Sequence, residues 1–261
     1  MIRVNGIRVY PVKSLRGIEL EQGTLDDVGL RQDRRWLVVD ASGRFHTQRW
    51  RPRLALIGTR LAEQGVVLSA PRMTDMTVPS GGHGSLEITV WKDRCVAEGC
   101  GADVDGWVSA FLGEPCRIAW MPATTVRMIN RRRDESLGRI AFADAYPLLA
   151  ISEASLAGLN ARLESPVPMN RFRPNFIISG LPPHGEDGWD RVRIGSVDFV
   201  ATKLCERCVL TTIDQDTAVP GGEPLRTLAT YRRRGSNVVF GVYLAHQGTG
   251  VVRCGDEVEP A

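Results

Sequence analysis

Leu204-Cys205-Glu206-Arg207-Cys208-Val209-Leu210-Thr211-Thr212-Ile213-Asp214 is the stretch on which the reading of this chain turns. It follows a strand-like run at Val197 to Thr202 and precedes a turn. Cys205 and Cys208 stand at Cys-x-x-Cys spacing. A structural zinc site needs four ligands, and neither a second Cys-x-x-Cys nor a paired His follows at finger spacing. A thioredoxin-like pair sits at a helix start within a βαβ unit, a pattern not read here. A single thiolate suits a soft or redox metal whose other ligands come from a cofactor. Two small thiols buried in a β core is the plain alternative.

Outward from this loop, the chain reads as short strands. Val192 to Ile194, Asn175 to Ser179, Val238 to Ala245 and Val251 to Glu257 surround it, the last as a closing hairpin arm. Towards the N-terminus, Ile2, Val4, Ile7 and Val9 nearly alternate, and Gly65 to Leu68, Leu86 to Trp91 and Cys116 to Met121 are further strand-like runs. Trp36 to Asp40 and Phe45 to Arg49 flank Ala41-Ser42-Gly43-Arg44 as a hairpin. Two segments break the pattern. Val104, Trp107, Val108 and Phe111 fall at helical spacing, with Asp103 placed to cap and Gly113 and Pro115 to stop. Leu156, Leu159 and Leu163 line a second helix that Ser152 caps and Pro166 ends. Many short strands with Gly and Pro punctuation favour a barrel or sandwich over alternating βα units.

Composition narrows the function classes. The chain has 261 residues, 43% hydrophobic and 24% charged, which argues against disorder and allows a sizeable core. The formal charge of +3 gives no support for a bulk nucleic-acid binder. No run of eighteen apolar residues is long enough to span a bilayer, and Met1-Ile2-Arg3-Val4-Asn5 lacks the apolar core of a signal peptide. A cytoplasmic location is expected, with the six cysteines mostly reduced. Cys95, Cys100, Cys116 and Cys254 show no ligand-like spacing, and the four histidines are scattered, so no His-based metal site is expected.

Only three of the thirty-three basic residues are lysines: Lys13, Lys92 and Lys203. Lys13 stands in Tyr10-Pro11-Val12-Lys13-Ser14-Leu15, where a Pro-fixed turn offers an ammonium and a hydroxyl to a phosphate. Arg34, in Asp33-Arg34-Arg35-Trp36, is a second phosphate contact of the same kind. Arg171-Phe172-Arg173-Pro174-Asn175 reads as an extended clamp, with two guanidinium groups on one side and an amide that both donates and accepts. Each pattern taken singly is equally consistent with solvated surface residues. Arg127 to Arg139, including Arg131-Arg132-Arg133, mixes both signs of charge and reads as a solvated loop.

The order of the motifs carries more than any one of them. Tyr-Pro-Val-Lys-Ser at 10–14, Asp-Arg-x-Trp at 33–36, Ser-Glu-Ala-Ser-Leu at 152–156, Phe-Arg-Pro-Asn at 172–175, Glu-Asp-x-Trp at 186–189 and Cys-x-Arg-Cys-x-Leu-Thr-Thr-x-Asp at 205–214 follow in sequence. Together they resemble MOSC-domain proteins with a MOSC N-terminal β-barrel, similar to the amidoxime-reducing components and their bacterial relatives. The resemblance implies a mainly β fold with a few helices (α+β), with an N-terminal β-barrel over 1–120 packed on a C-terminal MOSC β-barrel over 121–261. It implies a molybdenum cofactor, Mo-molybdopterin, whose metal takes Cys208 as its protein ligand. Lys13, Ser14, Arg34, Arg173, Asn175, Glu206 and Arg207 match the family's cofactor-binding pattern, and Arg207 is expected to favour the Cys208 thiolate. Asp144 matches a carboxylate near the metal and is the candidate proton-handling residue. Tyr146 stands where relatives carry a smaller hydroxyl residue in contact with the pterin.

The implied activity is molybdenum-dependent reduction of small N-hydroxylated compounds: amidoximes, hydroxylamines and N-hydroxylated bases. Neither ferredoxin-like Cys spacing nor a Gly-x-Gly-x-x-Gly fingerprint is read in the chain. Electrons are therefore expected from a separate ferredoxin-, flavin- or cytochrome b5-type partner, steered by the Arg-rich stretches 131–133 and 232–234. The second reading is a cofactor-binding or sulfur-carrier protein without turnover of its own.

Overall fold

The computed structural model describes residues 1–129 and 138–261. The expected Arg-rich segment 131–133 lies outside the described residues. The fold is mainly β with three α-helices among the described residues. Nine strands form the largest sheet, and smaller sheets of four, three and three strands accompany it.

Strand Asn237–Gln247 runs through the middle of the large sheet, between Val197–Glu206 and Leu148–Ser152. Its central run, Phe240-Gly-Val-Tyr-Leu-Ala, is largely buried because both faces of the sheet are covered. Gly241 is required there. Its φ is +79°, and a Cβ would meet the Ala150 carbonyl oxygen at 2.8 Å. The pairing of Val197–Glu206 slips twice, between Ala201 and Lys203 and between Leu204 and Glu206. Such bulges bend a strand and re-aim its end, and this end leads directly into Arg207 and Cys208.

The first thirty residues belong to the same body as the C-terminal half. Arg3–Val9 pairs antiparallel with Phe176–Ser179, and Gln22–Asp26 pairs with Gly250–Arg253. This pairing spans most of the sequence and has no local signature. The large sheet's path runs from Val258–Pro260 at one edge to Ile18–Leu20 at the other. Those edges are not paired to each other, and no closed barrel is present among the described residues. The expected packing of barrel on barrel is therefore not seen.

Helix Ala102–Leu112 packs Val104, Trp107, Val108 and Phe111 onto the apolar side of the four-stranded sheet, with Trp36, Val38 and Ile118. Gly113 ends it in the left-handed conformation, as read. The N-cap is Gly101 rather than Asp103; Asp103 instead lies in the first turn, where a carboxylate favours the helix dipole. Helix Glu153–Asn160 is capped by Ser152, whose hydroxyl accepts from the Ser155 amide at 3.0 Å. It stops before Leu163, which packs beside Leu159 from outside the helix. Phe45 makes one bridge to Val39, but 46–49 leaves the ladder and is not the second arm of a hairpin. One further reading shifts: the C-terminal arm divides into Gly250–Arg253 and Val258–Pro260.

The Glu-Asp-x-Trp motif is used by the fold. Glu186 is fully buried and accepts from the Ser152 amide at 3.1 Å and from the Ser155 hydroxyl at 2.8 and 3.0 Å. It thereby ties the start of helix Glu153–Asn160 to the 3-10 turn Gly185–Gly188. A buried acceptor with several donors is expensive to delete, because each donor is left without a partner. Glu186→Ala is expected to lower the unfolding free energy by about 2 kcal/mol, read as a lower urea midpoint with unchanged slope, and Glu186→Gln by less.

Candidate cofactor-binding site

Lys13, Ser14, Arg34, Asp144, Tyr146, Arg173, Asn175, Glu206, Arg207 and Cys208 line a single cleft. They come from five separate stretches of the chain, so the fold gathers all ten expected site residues. Thr47, Arg49, Arg171, Thr211 and Tyr243 line it too. Six of the lining side chains are cationic (Lys13, Arg34, Arg49, Arg171, Arg173, Arg207), against two carboxylates (Asp144, Glu206). Such a surplus of fixed positive charge in a recess suits a multiply charged anion.

Three of these residues hold left-handed backbone without being glycine. φ is 68° at Ser14, 51° at Arg34 and 56° at Arg173. Each costs of order 1 kcal/mol and persists where surrounding contacts over-determine it. Arg173 carries a further constraint, since it precedes Pro174 and pre-proline residues favour extended backbone. The stretch from Arg171 is accordingly not extended. Met169–Arg171 forms a 3-10 turn, and the turn plus the left-handed residue bring Arg171 and Arg173 to the cleft.

The cations are held by a frame. Arg34 is paired with Asp33 and donates to the Asn175 side-chain oxygen at 3.2 Å. Arg34 and Arg173 both lie over the Tyr10 ring, at 4.8 and 4.1 Å. Arg173 donates Nη1 to the Leu15 carbonyl at 2.6 Å, while its Nη2 is buried without a partner. Burial pushes the Arg173 pKa down to about 10, which leaves it charged at neutral pH. Asn175 is engaged on both ends. Its oxygen also accepts from the Leu149 amide at 3.2 Å, and its nitrogen donates to the Arg8 carbonyl at 3.0 Å. It therefore positions the cleft wall more than it offers a free amide to a ligand. Ser14 presents a hydroxyl that no described group bonds.

The thiols divide differently from the expectation. Arg207 donates Nη1 to Cys205 Sγ at 2.8 Å and Nη2 to the Phe172 carbonyl at 2.8 Å. Its target is Cys205, which is 1% exposed, and not Cys208. The reason is the bulged end of Val197–Glu206. The Arg207 amide donates to the Val238 carbonyl at 2.7 Å, which keeps its side chain over Phe172 and inward. Cys208 is half-buried, and its cationic neighbour is Arg49, with Nε 3.2 Å from Sγ. Arg49 also donates Nη2 to Asp144 at 3.0 Å and stacks 4.8 Å from the Trp91 ring. Arg49 escaped the sequence reading because it sits in a polar run with no periodicity. Its neighbours Thr47 and Gln48 are polar residues that the fold buries completely, which only the structure reveals.

Asp144 bridges two cations, Lys13 and Arg49. Burial alone raises its pKa, but the Lys13 ammonium and then the Arg49 guanidinium override this and hold it well below the usual carboxylate range. Its side chain remains 35% open to solvent, so the effect is screened and carries no stability figure. Asp144 is thus kept ionised, in contrast to the expected proton-handling acid. Lys13 is the group with an accessible proton. Its Nζ donates to the Phe142 carbonyl at 2.7 Å and to Asp144, and burial pulls its pKa down to about 8. The other expected basic stretch, 232–234, is only partly available: Arg232 is buried and bound to Asp187.

The fold and the cleft define a class: a β protein with a solvent-reachable thiol at the edge of a buried cationic recess. Residues 1–115 match the MOSC N-terminal beta barrel domain, and residues 138–259 match the MOSC domain. The chain is 36% identical to mitochondrial amidoxime-reducing component 1 of Mus musculus, covering 96% of this chain and 79% of that protein. It is 35% identical to the Homo sapiens protein of the same name, covering 96% and 80%. It is 32% identical to a molybdenum cofactor sulfurase of Oryza sativa subsp. japonica, covering 94% of this chain and 33% of that protein. The chain belongs to the family that joins a MOSC N-terminal β-barrel domain to a MOSC domain and includes the amidoxime-reducing components.

Lys13 gives the site a pH signature. Its pKa is about 8 folded against an ordinary 10.5, so between these values the folded protein binds fewer protons than the unfolded chain. Stability contributed by Lys13 must then rise with pH across that window. Urea unfolding at a series of pH values is expected to show this rise in the wild type relative to Lys13→Met, and the two curves are expected to run parallel below about pH 8.

Proposed function

We propose that this chain is a molybdenum-cofactor-dependent oxidoreductase that reduces small N-hydroxylated compounds, drawing electrons from a separate protein. The observation that carries the reading is the gathering of the ten expected site residues around one cleft that joins a reachable thiol to a surplus of buried cations. The amidoxime-reducing relatives, at about a third identity over most of both chains, support the same reading.

The residues present fit such a group. A phosphorylated pterin needs buried donors that the protein leaves unused, and Arg173 Nη2 and Arg207 Nε are both buried without partners. Lys13, Ser14 and Arg34 would hold the anionic part, Arg171 and Arg173 would close over it, and Cys208 would ligate the metal. Glu206 and Tyr146 line the same wall. When bound, the group supplies a two-electron centre able to cleave an N–O bond. The chain's own residues then do three things. Arg49 donates to the Cys208 sulfur and ties it to Asp144. Asp144, kept ionised, fixes Arg49 and Lys13 at the cleft's edge. Lys13 carries a proton with its pKa drawn down to about 8, suited to give it to a nitrogen or oxygen released at the site.

We further propose that the electron donor is a separate protein of the ferredoxin, flavin or cytochrome b5 class and that the protein works in the cytoplasm. The sulfurase relative keeps a second reading in view, that of a cofactor or sulfur carrier without turnover. One experiment separates them. Protein from molybdenum-replete cells is assayed for molybdenum and pterin, then given an artificial reductant and benzamidoxime. Stoichiometric metal with turnover is expected; bound cofactor without turnover favours the carrier, and absence of both metal and pterin overturns the proposal.

Two variants test the thiol assignment. Cys208→Ala is expected to lose activity and most bound molybdenum, whereas Cys205→Ala retains most of both. Equal losses would refute the division of roles. Arg173→Ala is expected to lower pterin occupancy by about tenfold or more, the scale of one lost charge-assisted contact, measured by fluorescence of the oxidised pterin.

A further inference from the structure

His46, Glu114 and Cys116 meet outside the cleft, in the N-terminal half. Their candidate ligand atoms lie within 4.8 Å of one another. The spacing in sequence hides the meeting; strand register creates it. Trp36–Asp40 pairs with Cys116–Trp120, placing Cys116 opposite Asp40. The bridge from Val39 to Phe45 folds the next residues back over the same strand, and the His46 amide donates to the Val38 carbonyl at 2.7 Å. Glu114 sits between the helix-ending Gly113 and Pro115. Ser109 fixes the Cys116 backbone through both its amide, at 2.9 Å, and its carbonyl, at 3.0 Å.

His46 is the observation that points to a ligand. The residue is 5% exposed, and its Nε2 is buried with no hydrogen-bond partner. The nearest carboxylate oxygen, on Glu114, is 3.8 Å away, too far for a hydrogen bond. A buried ring nitrogen without a partner is costly, and native proteins rarely leave one unexplained. It faces a thiol and a carboxylate. Nitrogen, sulfur and oxygen donors in one cluster match the borderline ions of the zinc class and do not match calcium or magnesium, which take oxygen sets.

We propose that His46, Glu114 and Cys116 form a binding site for one zinc-class divalent cation, separate from the cofactor cleft, with solvent in the fourth position. The charge balance is favourable. Binding exchanges the Cys116 proton, released to solvent, for the metal, and the thiolate and the Glu114 carboxylate together neutralise the two positive charges. Arg51 and Asp40 stand beside the cluster and offset each other. Zinc bonds of about 2.0–2.3 Å require ligand atoms roughly 3.5 Å apart, so the side chains must draw inward by ~1 Å. Glu114 is the ligand free to do this, since it lies in a loop and its partner Arg51 is 40% exposed and able to release it. A shallow recess lined by Asp40, Arg44, His46, Trp50 and Arg51 gives the ion a way in.

The inference is independent of the proposed reductase activity and is tested on the full chain with cobalt(II) alone as the probe. One equivalent is expected to give thiolate-to-cobalt charge transfer in the near ultraviolet and intense visible bands of four-coordinate cobalt, both abolished by zinc. His46→Gln is expected to weaken binding by at least about tenfold, and Cys116→Ser to remove the charge-transfer band. Cys208→Ala leaves both features intact. Absence of the bands in the wild type overturns the site. Unchanged bands in His46→Gln and Cys116→Ser also overturn it, since the metal would then rest on other thiols. Should Cys116→Ser fail to fold, the conservative His46→Gln decides the matter: zinc is expected to raise the melting temperature of the wild type and not of this variant, and an equal rise in both refutes the proposal.

Discussion

Arg34 and Arg173 lie over one tyrosine ring, and Lys13, Arg49, Arg171 and Arg207 line the same recess. Like charges gathered away from water repel, and the molecule is built around containing that repulsion. Asp33 takes Arg34, Asp144 takes Lys13 and Arg49, and Asp214 takes Arg171. Backbone carbonyls of Leu15 and Phe172 take one edge each of Arg173 and Arg207. What remains is three buried guanidinium nitrogens with nothing to bond, Arg171 Nε, Arg173 Nη2 and Arg207 Nε, and a net positive recess. A protein that spends left-handed backbone at Ser14, Arg34 and Arg173 to hold such an arrangement is pre-organised for an anion.

The thiols show how a small backbone irregularity sorts chemistry. Two bulges in Val197–Glu206 turn the strand end so that Cys205 faces inward to Arg207 while Cys208 faces the cleft and Arg49. The Cys-x-x-Cys spacing therefore does not describe a pair. One sulfur belongs to the core and one to the site. Arg49 then couples the second sulfur to Asp144, and Asp144 couples it to Lys13, so the candidate metal ligand and the candidate proton donor share one short chain of ion pairs.

Local signals were readable and non-local ones were not. The helix over Ala102–Leu112 and the Ser152 cap are written in spacings a few residues long, and both are present. Eight of the ten expected cleft residues were readable because each sits in a motif whose order along the chain is specific; Asp144 and Tyr146 were reached only through the family resemblance. Arg49 was not readable, because its partners Cys208 and Asp144 lie 159 and 95 residues away. Pairing of the first strands with the C-terminal ones was equally invisible, as was the meeting of His46 with Glu114 and Cys116. The Glu-Asp-x-Trp motif reads as part of the site's family pattern yet acts in the fold, where Glu186 is consumed by Ser152 and Ser155.

The central claim is that the Cys208 sulfur, open in the cleft, becomes the anchor of the bound group. Thiol alkylation followed by mass spectrometry, on protein loaded with molybdenum cofactor and on the same protein stripped of it, addresses that directly. Cys208 is expected to be modified rapidly when stripped and protected when loaded, with Cys205 protected in both states. Equal modification of Cys208 in the loaded and stripped protein would contradict the account.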